Sequence, residues 1–270
     1  MRMRSNKRRT RQALLAGCFL AALLSRPSAA DEVRVAVAAN FADTLKALAA
    51  AYEAETSHTV VAILGSTGKH YAQIRNGAPF DVFLAADAER PKRLEEERLA
   101  VPGSRFTYAL GRLVLWSPRK GFVDSKGDVL RTGRFRRLAI ANPKLAPYGV
   151  AARQTLEALG LWTTLEARLV RGEDIGQAFQ FVASGNAELG FVARSQIQNA
   201  QGRIAGSCWD VPPALHKPIE QQAVLLKNTP AARAFLAFLR GPRARAIIER
   251  RGYGVERTEG TKGTEETRGA

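Results

Sequence analysis

Four short stretches put small or hydroxyl-bearing residues where a strand should end and a helix begin: Ala39-Asn40, Gly65-Ser66-Thr67-Gly68, Ala146-Pro147-Tyr148-Gly149 and Glu173-Asp174-Ile175. Such a junction leaves backbone N–H groups unpaired, and the helix that follows adds roughly half a positive charge there, so an anion can be held without lysine or arginine. One junction of this kind is common. Four, two in each half of the chain, imply a clamp around an anion. Asn40 and the Ser66-Thr67 pair are also the residue types that cap helices, a role that competes with ligand binding. Asp174 is read as the cap of a helix starting at Ile175, because a carboxylate aimed at an anion would repel it. Lys69 and His70 fall one turn inside a helix and are read as solvent-exposed. Asp81, Asp87 and Glu89 do not group with histidines at metal-ligand spacing, so no metal site is expected.

The same residues allow a nucleophilic reading. Ser66-Thr67-Gly68-Lys69 fits S-x-x-K and Ser184-Gly185-Asn186 fits S-x-N, a pair found in penicillin-binding enzymes, with Ser66 as nucleophile and Lys69 as its activator. The third element of that set, K-T-G on a strand, is missing: Thr261-Lys262-Gly263 runs in another order within a polar tail. Gly65 to Lys69 also falls short of a P-loop, since His70 stands where a serine or threonine is required. The chain is therefore not expected to be an enzyme.

The elements that must carry the junctions follow from periodicity. Val33 to Ala38 reads as a strand, and Thr44 to Glu55 as a helix with Leu45, Leu48 and Tyr52 on one face. Strand 58–64 then precedes helix 69–76, and strand 82–85 precedes helix 88–97. Tyr108 to Ser117 reads as one long apolar strand leading out of this first set. A second set follows: strand 137–141, helix 149–159, strand 167–170, helix 175–184 and strand 189–192. Pro212-Pro213 forms an irregular link to strand 222–226, and a last helix over 231–251 carries a break at Gly241-Pro242. Repeated β then α predicts two lobes of α/β structure, each a mostly parallel sheet flanked by helices, with a ligand cleft between them. The hinges are expected near Leu110 and Gln222.

The ends set the compartment. Arg2, Arg4, Lys7, Arg8, Arg9 and Arg11 precede an apolar run from Ala13 to Leu24, followed by the small residues Ser28-Ala29-Ala30. That is the pattern of a secretory signal peptide over residues 1–30, its apolar run too short to span a bilayer, which needs roughly 20 helical residues. A periplasmic product starting at Asp31 is expected. Leu15-Ala16-Gly17-Cys18 offers a lipid-anchored alternative through Cys18, and Arg8-Arg9 hints at twin-arginine export without the hydrophobic follow-on. The formal charge of +16 falls to +9 once the leader's seven basic residues leave. The remainder is scattered rather than gathered with aromatics, so no nucleic-acid partner is expected. Cys208 then has no cysteine partner and is read as a buried apolar filler. The domains are read as residues 31–111 and 222–255 for the first lobe and 112–221 for the second, with 256–270 as a disordered polar tail.

With these stretches in place, the chain from Val33 to Val255 resembles the periplasmic molybdate-binding proteins of ABC importers, which have the type II two-lobe periplasmic binding fold. The resemblance is carried by Ala36 to Phe41, Gly65 to Lys69, Gln73 to Asp81, Ala85-Ala86-Asp87, Leu113 to Trp116, Ala141-Asn142-Pro143, Pro147-Tyr148-Gly149 and Gly172 to Ile175. It implies molybdate or tungstate as ligand, a permease and an ATPase as partners, a monomer, and no metal or organic cofactor beyond the oxyanion. It places the ligand donors on Ala39, Asn40, Ser66, Thr67, Tyr148 and Ile175, all neutral, with selectivity set by cavity size. One branch of the family has a tyrosine where Ala193 stands, and Tyr148 is read as supplying the missing contact. A sulfate or thiosulfate carrier is the alternative.

Overall fold

The computed structural model describes residues 31–199 and 201–255. The leader read over 1–30 with Cys18 inside it, and the tail read over 256–270, lie outside the described residues. The first set of elements is β1 (Glu32–Ala38), a 3-10 turn (Ala39–Phe41), α1 (Ala42–Glu53), β2 (Thr59–Gly65), α2 (Thr67–Arg75), β3 (Val82–Leu84) and α3 (Glu89–Glu96). Two strands follow, β4 (Phe106–Gly111) and β5 (Leu113–Ser117). The second set is α4 (Val129–Thr132), β6 (Leu138–Ala141), α5 (Pro147–Ala158), α6 (Trp162–Leu165), β7 (Leu169–Gly172), α7 (Ile175–Ala183), β8 (Leu189–Ala193), α8 (Arg194–Ile197) and β9 (Ser207–Asp210). The chain ends with β10 (Ile219–Leu225), α9 (Pro230–Arg240) and α10 (Pro242–Arg250).

These strands form two five-stranded sheets, in the orders β2-β1-β3-β10-β4 and β7-β6-β8-β5-β9. The two-lobe α/β fold read from the sequence is the observed one, and each sheet is mixed. β1 runs parallel to β2 and β3, and β6 parallel to β7 and β8, whereas β10 and β5 lie antiparallel to both of their neighbours. The long strand expected over 108–117 is two strands in different sheets, broken at Gly111-Arg112. β9 has no counterpart in the sequence reading, because Ser207-Cys208-Trp209-Asp210 has no apolar run. The last helix is divided where expected: Gly241, in extended conformation, ends α9 and precedes α10.

Strand alternation builds the cores. Val33, Val35 and Val37 of β1 face α1 and α9, while Ala36 faces the side that holds Tyr71 and Ile74 of α2. In the second lobe Leu138 and Ile140 face Tyr148, Ala152 and Leu156 of α5, and Ala139 faces Val182 of α7. The chain passes between lobes at Gly111-Arg112 and again between β9 and β10, whose register shifts at Gln221/Gln222. The end of the chain lies beside the first crossing, on the first lobe, since Gly254 pairs with Leu110 of β4 through bonds of 2.7 and 2.9 Å.

Candidate functional site

All four junctions meet. Ala38, Ala39 and Asn40 at the end of β1, Gly65, Ser66 and Thr67 at the end of β2, Ala146, Pro147 and Tyr148 after β6, and Asp174 and Ile175 after β7 line one small pocket between the lobes. Ala86, after β3, completes the lining and was missed in the sequence because no hydroxyl or amide marks it. The pocket lies at the carboxyl ends of the parallel strands, where open α/β sheets bind ligands. The lobes touch beside it: Gly68 N–H donates to Leu145 O across the cleft at 2.9 Å. A Cβ at position 68 would stand 2.9 Å from that oxygen and 3.2 Å from Leu145 Cα, so only glycine permits this approach.

The lining offers donors and almost no charge. Ser66 is the N-cap of α2, its Oγ accepting from Lys69 N–H at 3.2 Å, so Thr67 is not the cap. Thr67 Oγ1 accepts the Ala86 N–H at 3.0 Å, which leaves its own hydroxyl proton for a ligand. Asp174 caps α7 as expected, its carboxylate accepting from Gln177 N–H at 2.9 Å. The backbone N–H groups of Thr67 and Ile175, at the first positions of their helices, have no intrahelical acceptor. No lysine or arginine lines the pocket, and Lys69 is exposed as expected. Nearby Arg90 is paired with Asp87, whose carboxyl is raised by burial against the opposing pull of Arg90. Among the described residues no three His, Cys, Asp or Glu side chains gather to hold a metal ion.

Asn40 is not a cap either. It sits inside the 3-10 turn, and its Nδ2 donates to Gln221 Oε1 at 2.9 Å and to Tyr253 Oη at 3.0 Å. Its Oδ1 is buried without a partner. Tyr253 and Ser195 both donate to Asn40 O, at 2.7 and 3.1 Å. Tyr148 is fully buried, which together with Tyr253 and Tyr108 holds its hydroxyl well above the ordinary tyrosine range and so protonated. Ala193 does not line the pocket. Its N–H donates to Gln196 Oε1 at 2.9 Å, and Gln196 Nε2 donates to Ile175 O at 3.1 Å, tying the end of β8 to the start of α7. The serine and asparagine of the S-x-N motif lie at the far end of α7, about 13 Å from Ile175 by helical rise, and Asn186 Nδ2 donates to Ser184 Oγ at 3.0 Å.

Two expectations are corrected. Cys208 is half-buried on β9, because that edge strand has only one covered side. His70 is buried rather than exposed: Thr67, His70, Tyr71 and Ile74 form the inward stripe of α2. Its Nε2 lies 3.1 Å from Val37 O and its Nδ1 3.0 Å from Gln73 Oε1. Burial lowers the His70 pKa, with the Gln73 and Val37 contacts opposing. A depressed folded pKa gives stability that is complete above the unfolded value near 6.5 and is lost as pH falls through the folded value. Melting temperature is therefore expected to drop on acidification below about pH 6.5, and His70→Gln to flatten that drop. Equal slopes for the two proteins would refute it.

The family model described as bacterial extracellular solute-binding protein matches residues 33–254. The chain belongs to this family. Among its relatives, the molybdate-binding protein ModA of Azotobacter vinelandii is 52% identical over 87% of this chain and 95% of its own length. The ModA of Rhodobacter capsulatus is 51% identical over 91% of this chain and 98% of its own. The solved periplasmic molybdate-binding protein of Azotobacter vinelandii superposes on this solute-binding protein with a TM-score of 0.81 at 47% identity, covering 83% of this chain and 99% of that one. The sulfate-binding protein SubI of Mycobacterium tuberculosis shares the fold alone, with a TM-score of 0.69 at 14% identity over 83% and 86% of the two chains.

Proposed function

We propose that this protein binds molybdate, and tungstate with it, between its lobes in the periplasm and delivers the oxyanion to the permease and ATPase of an ABC importer. In this reading it acts as a monomer, without catalysis and without metal or organic cofactor, exported by the leader read over residues 1–30. The observation that carries it is the pocket itself: four junctions of neutral donors converge between two lobes, in a chain about half identical to two molybdate-binding proteins over nearly their whole length. Neutral donors sort oxyanions by fit rather than by charge. Sulfate, being smaller, is expected to span the two walls less well than molybdate, whereas tungstate matches molybdate in size and charge. Ala39, Asn40, Ser66, Thr67, Tyr148 and Ile175 are the proposed donors, with Asn40 acting through its backbone N–H.

Isothermal calorimetry on the purified protein tests this reading. Molybdate and tungstate are expected to bind with affinities within about tenfold of each other, and sulfate and phosphate at least a hundredfold more weakly, a gap of about 2.7 kcal/mol. Sulfate binding as tight as molybdate would replace the proposal with a sulfate carrier.

A further inference from the structure

Beneath the pocket, one side chain touches a proposed donor from each lobe. Gln221 is completely buried on β10, at the strand's register shift. Its Oε1 accepts from Asn40 Nδ2 at 2.9 Å and from Tyr108 Oη at 3.1 Å, and its Nε2 donates to Tyr148 Oη at 3.3 Å. The wall behind is closed, since a Cβ on Gly111 would stand 2.5 Å from Tyr148 Oη and 3.0 Å from Gln221 Nε2.

The hydrogen-bonding inventory of a phenol decides what this arrangement does. A tyrosine oxygen has one proton to give and two lone pairs to fill. Gln221 Nε2–H fills one, and the Arg112 backbone N–H also faces this oxygen. Among the described residues the Tyr148 hydroxyl donates to no group, so its proton is left for a ligand oxygen. The Asn40 amide is held the other way, with both Nδ2 hydrogens committed to Gln221 and Tyr253. We propose that Gln221 is a positioning residue: it presents an N–H to Tyr148 and a carbonyl to Asn40, and thereby aims the Tyr148 proton into the pocket while keeping the Asn40 amide hydrogens out of it. An acceptor at this position would reverse the setting, because Tyr148 would then turn its proton inward. This inference rests on the oxyanion-binding reading of the pocket.

A double-mutant cycle read by molybdate calorimetry tests it, with Gln221→Met, Tyr148→Phe and the double variant. Each single change is expected to weaken binding about tenfold. In the Tyr148→Phe background, Gln221→Met is expected to alter affinity by less than about twofold, because the proton it positions is already gone. A merely structural glutamine would give the same factor in both backgrounds, and that result, or wild-type affinity in Gln221→Met, overturns the proposal. Should Gln221→Met fail to fold, Gln221→Glu serves in the same cycle: the carboxylate keeps the shape and captures the Tyr148 proton, so its loss should shrink once Phe stands at 148, and an undiminished loss would refute the idea. Absence of molybdate binding by the wild-type protein would instead count against the proposed function.

Discussion

Thr67→Ala is expected to weaken molybdate binding ten- to a hundredfold, about 1.5–3 kcal/mol, the range for a hydrogen bond to a charged partner. The hydroxyl has two tasks that separate experimentally. Its oxygen accepts the buried Ala86 N–H, and its proton, given to no group among the described residues, is the one proposed to reach the ligand. Alanine removes both, so the apo protein should also lose about 1–3 kcal/mol of stability through the stranded N–H. Thr67→Ser keeps both tasks and is expected to restore both affinity and melting temperature. Lys69→Ala is the contrast: an exposed lysine outside the lining should change affinity by no more than about twofold, as surface substitutions generally do. Calorimetry on the set, beside apo melting curves, decides. Loss of binding in Lys69→Ala with wild-type affinity in Thr67→Ala would replace the neutral-donor site with a lysine-anchored one.

Gly68→Val is expected to cost more, because it holds the walls apart. The added Cβ meets the backbone of Leu145 at 2.9 Å, and a backbone oxygen cannot rotate away as a side chain can. The second lobe must then retreat, carrying Tyr148 and Ile175 out of reach of a ligand seated on the first. Two hydrogen bonds to a charged ligand together are worth about 3–6 kcal/mol, so affinity should fall about a hundredfold to ten-thousandfold. Small-angle scattering supplies the second reading: molybdate should compact the wild-type protein and leave the radius of gyration of the variant unchanged. Wild-type affinity in Gly68→Val would show that the lobes do not meet at this contact when ligand is held.

Much of this site was legible in the sequence because its parts are local. A strand, a small or hydroxyl residue and a helix occupy about fifteen consecutive residues, and the four junctions so read are the ones that line the pocket. Asp174 was recognised as a cap for the same reason. His70 reads in sequence as polar surface because it follows Lys69, although its stripe with Thr67, Tyr71 and Ile74 has helical spacing. The division of residues 108–117 was hidden by apolar residues on both sides of Gly111-Arg112, which look alike whichever sheet they join. The Asn40–Gln221–Tyr148 relay left no local trace. Its members stand 181 and 73 residues apart in the chain, and what brings them together is the antiparallel insertion of β10, on which periodicity is silent.

That insertion also orders the assembly of the molecule. The second sheet is drawn entirely from residues 113–210, so it can close as soon as that stretch is free. The first sheet cannot. β3 and β4 are separated by a strand that arrives at residue 219, and until then β3 keeps an open edge and the face of β1 carrying Val33, Val35 and Val37 lacks the cover of α9 and α10. A chain delivered N-terminus first therefore finishes its beginning last, with the early strands held as an unfinished template for most of the time the chain is emerging. Under the export proposed above, late arrival of the keystone strand would keep the leading half threadable until the trailing half has passed.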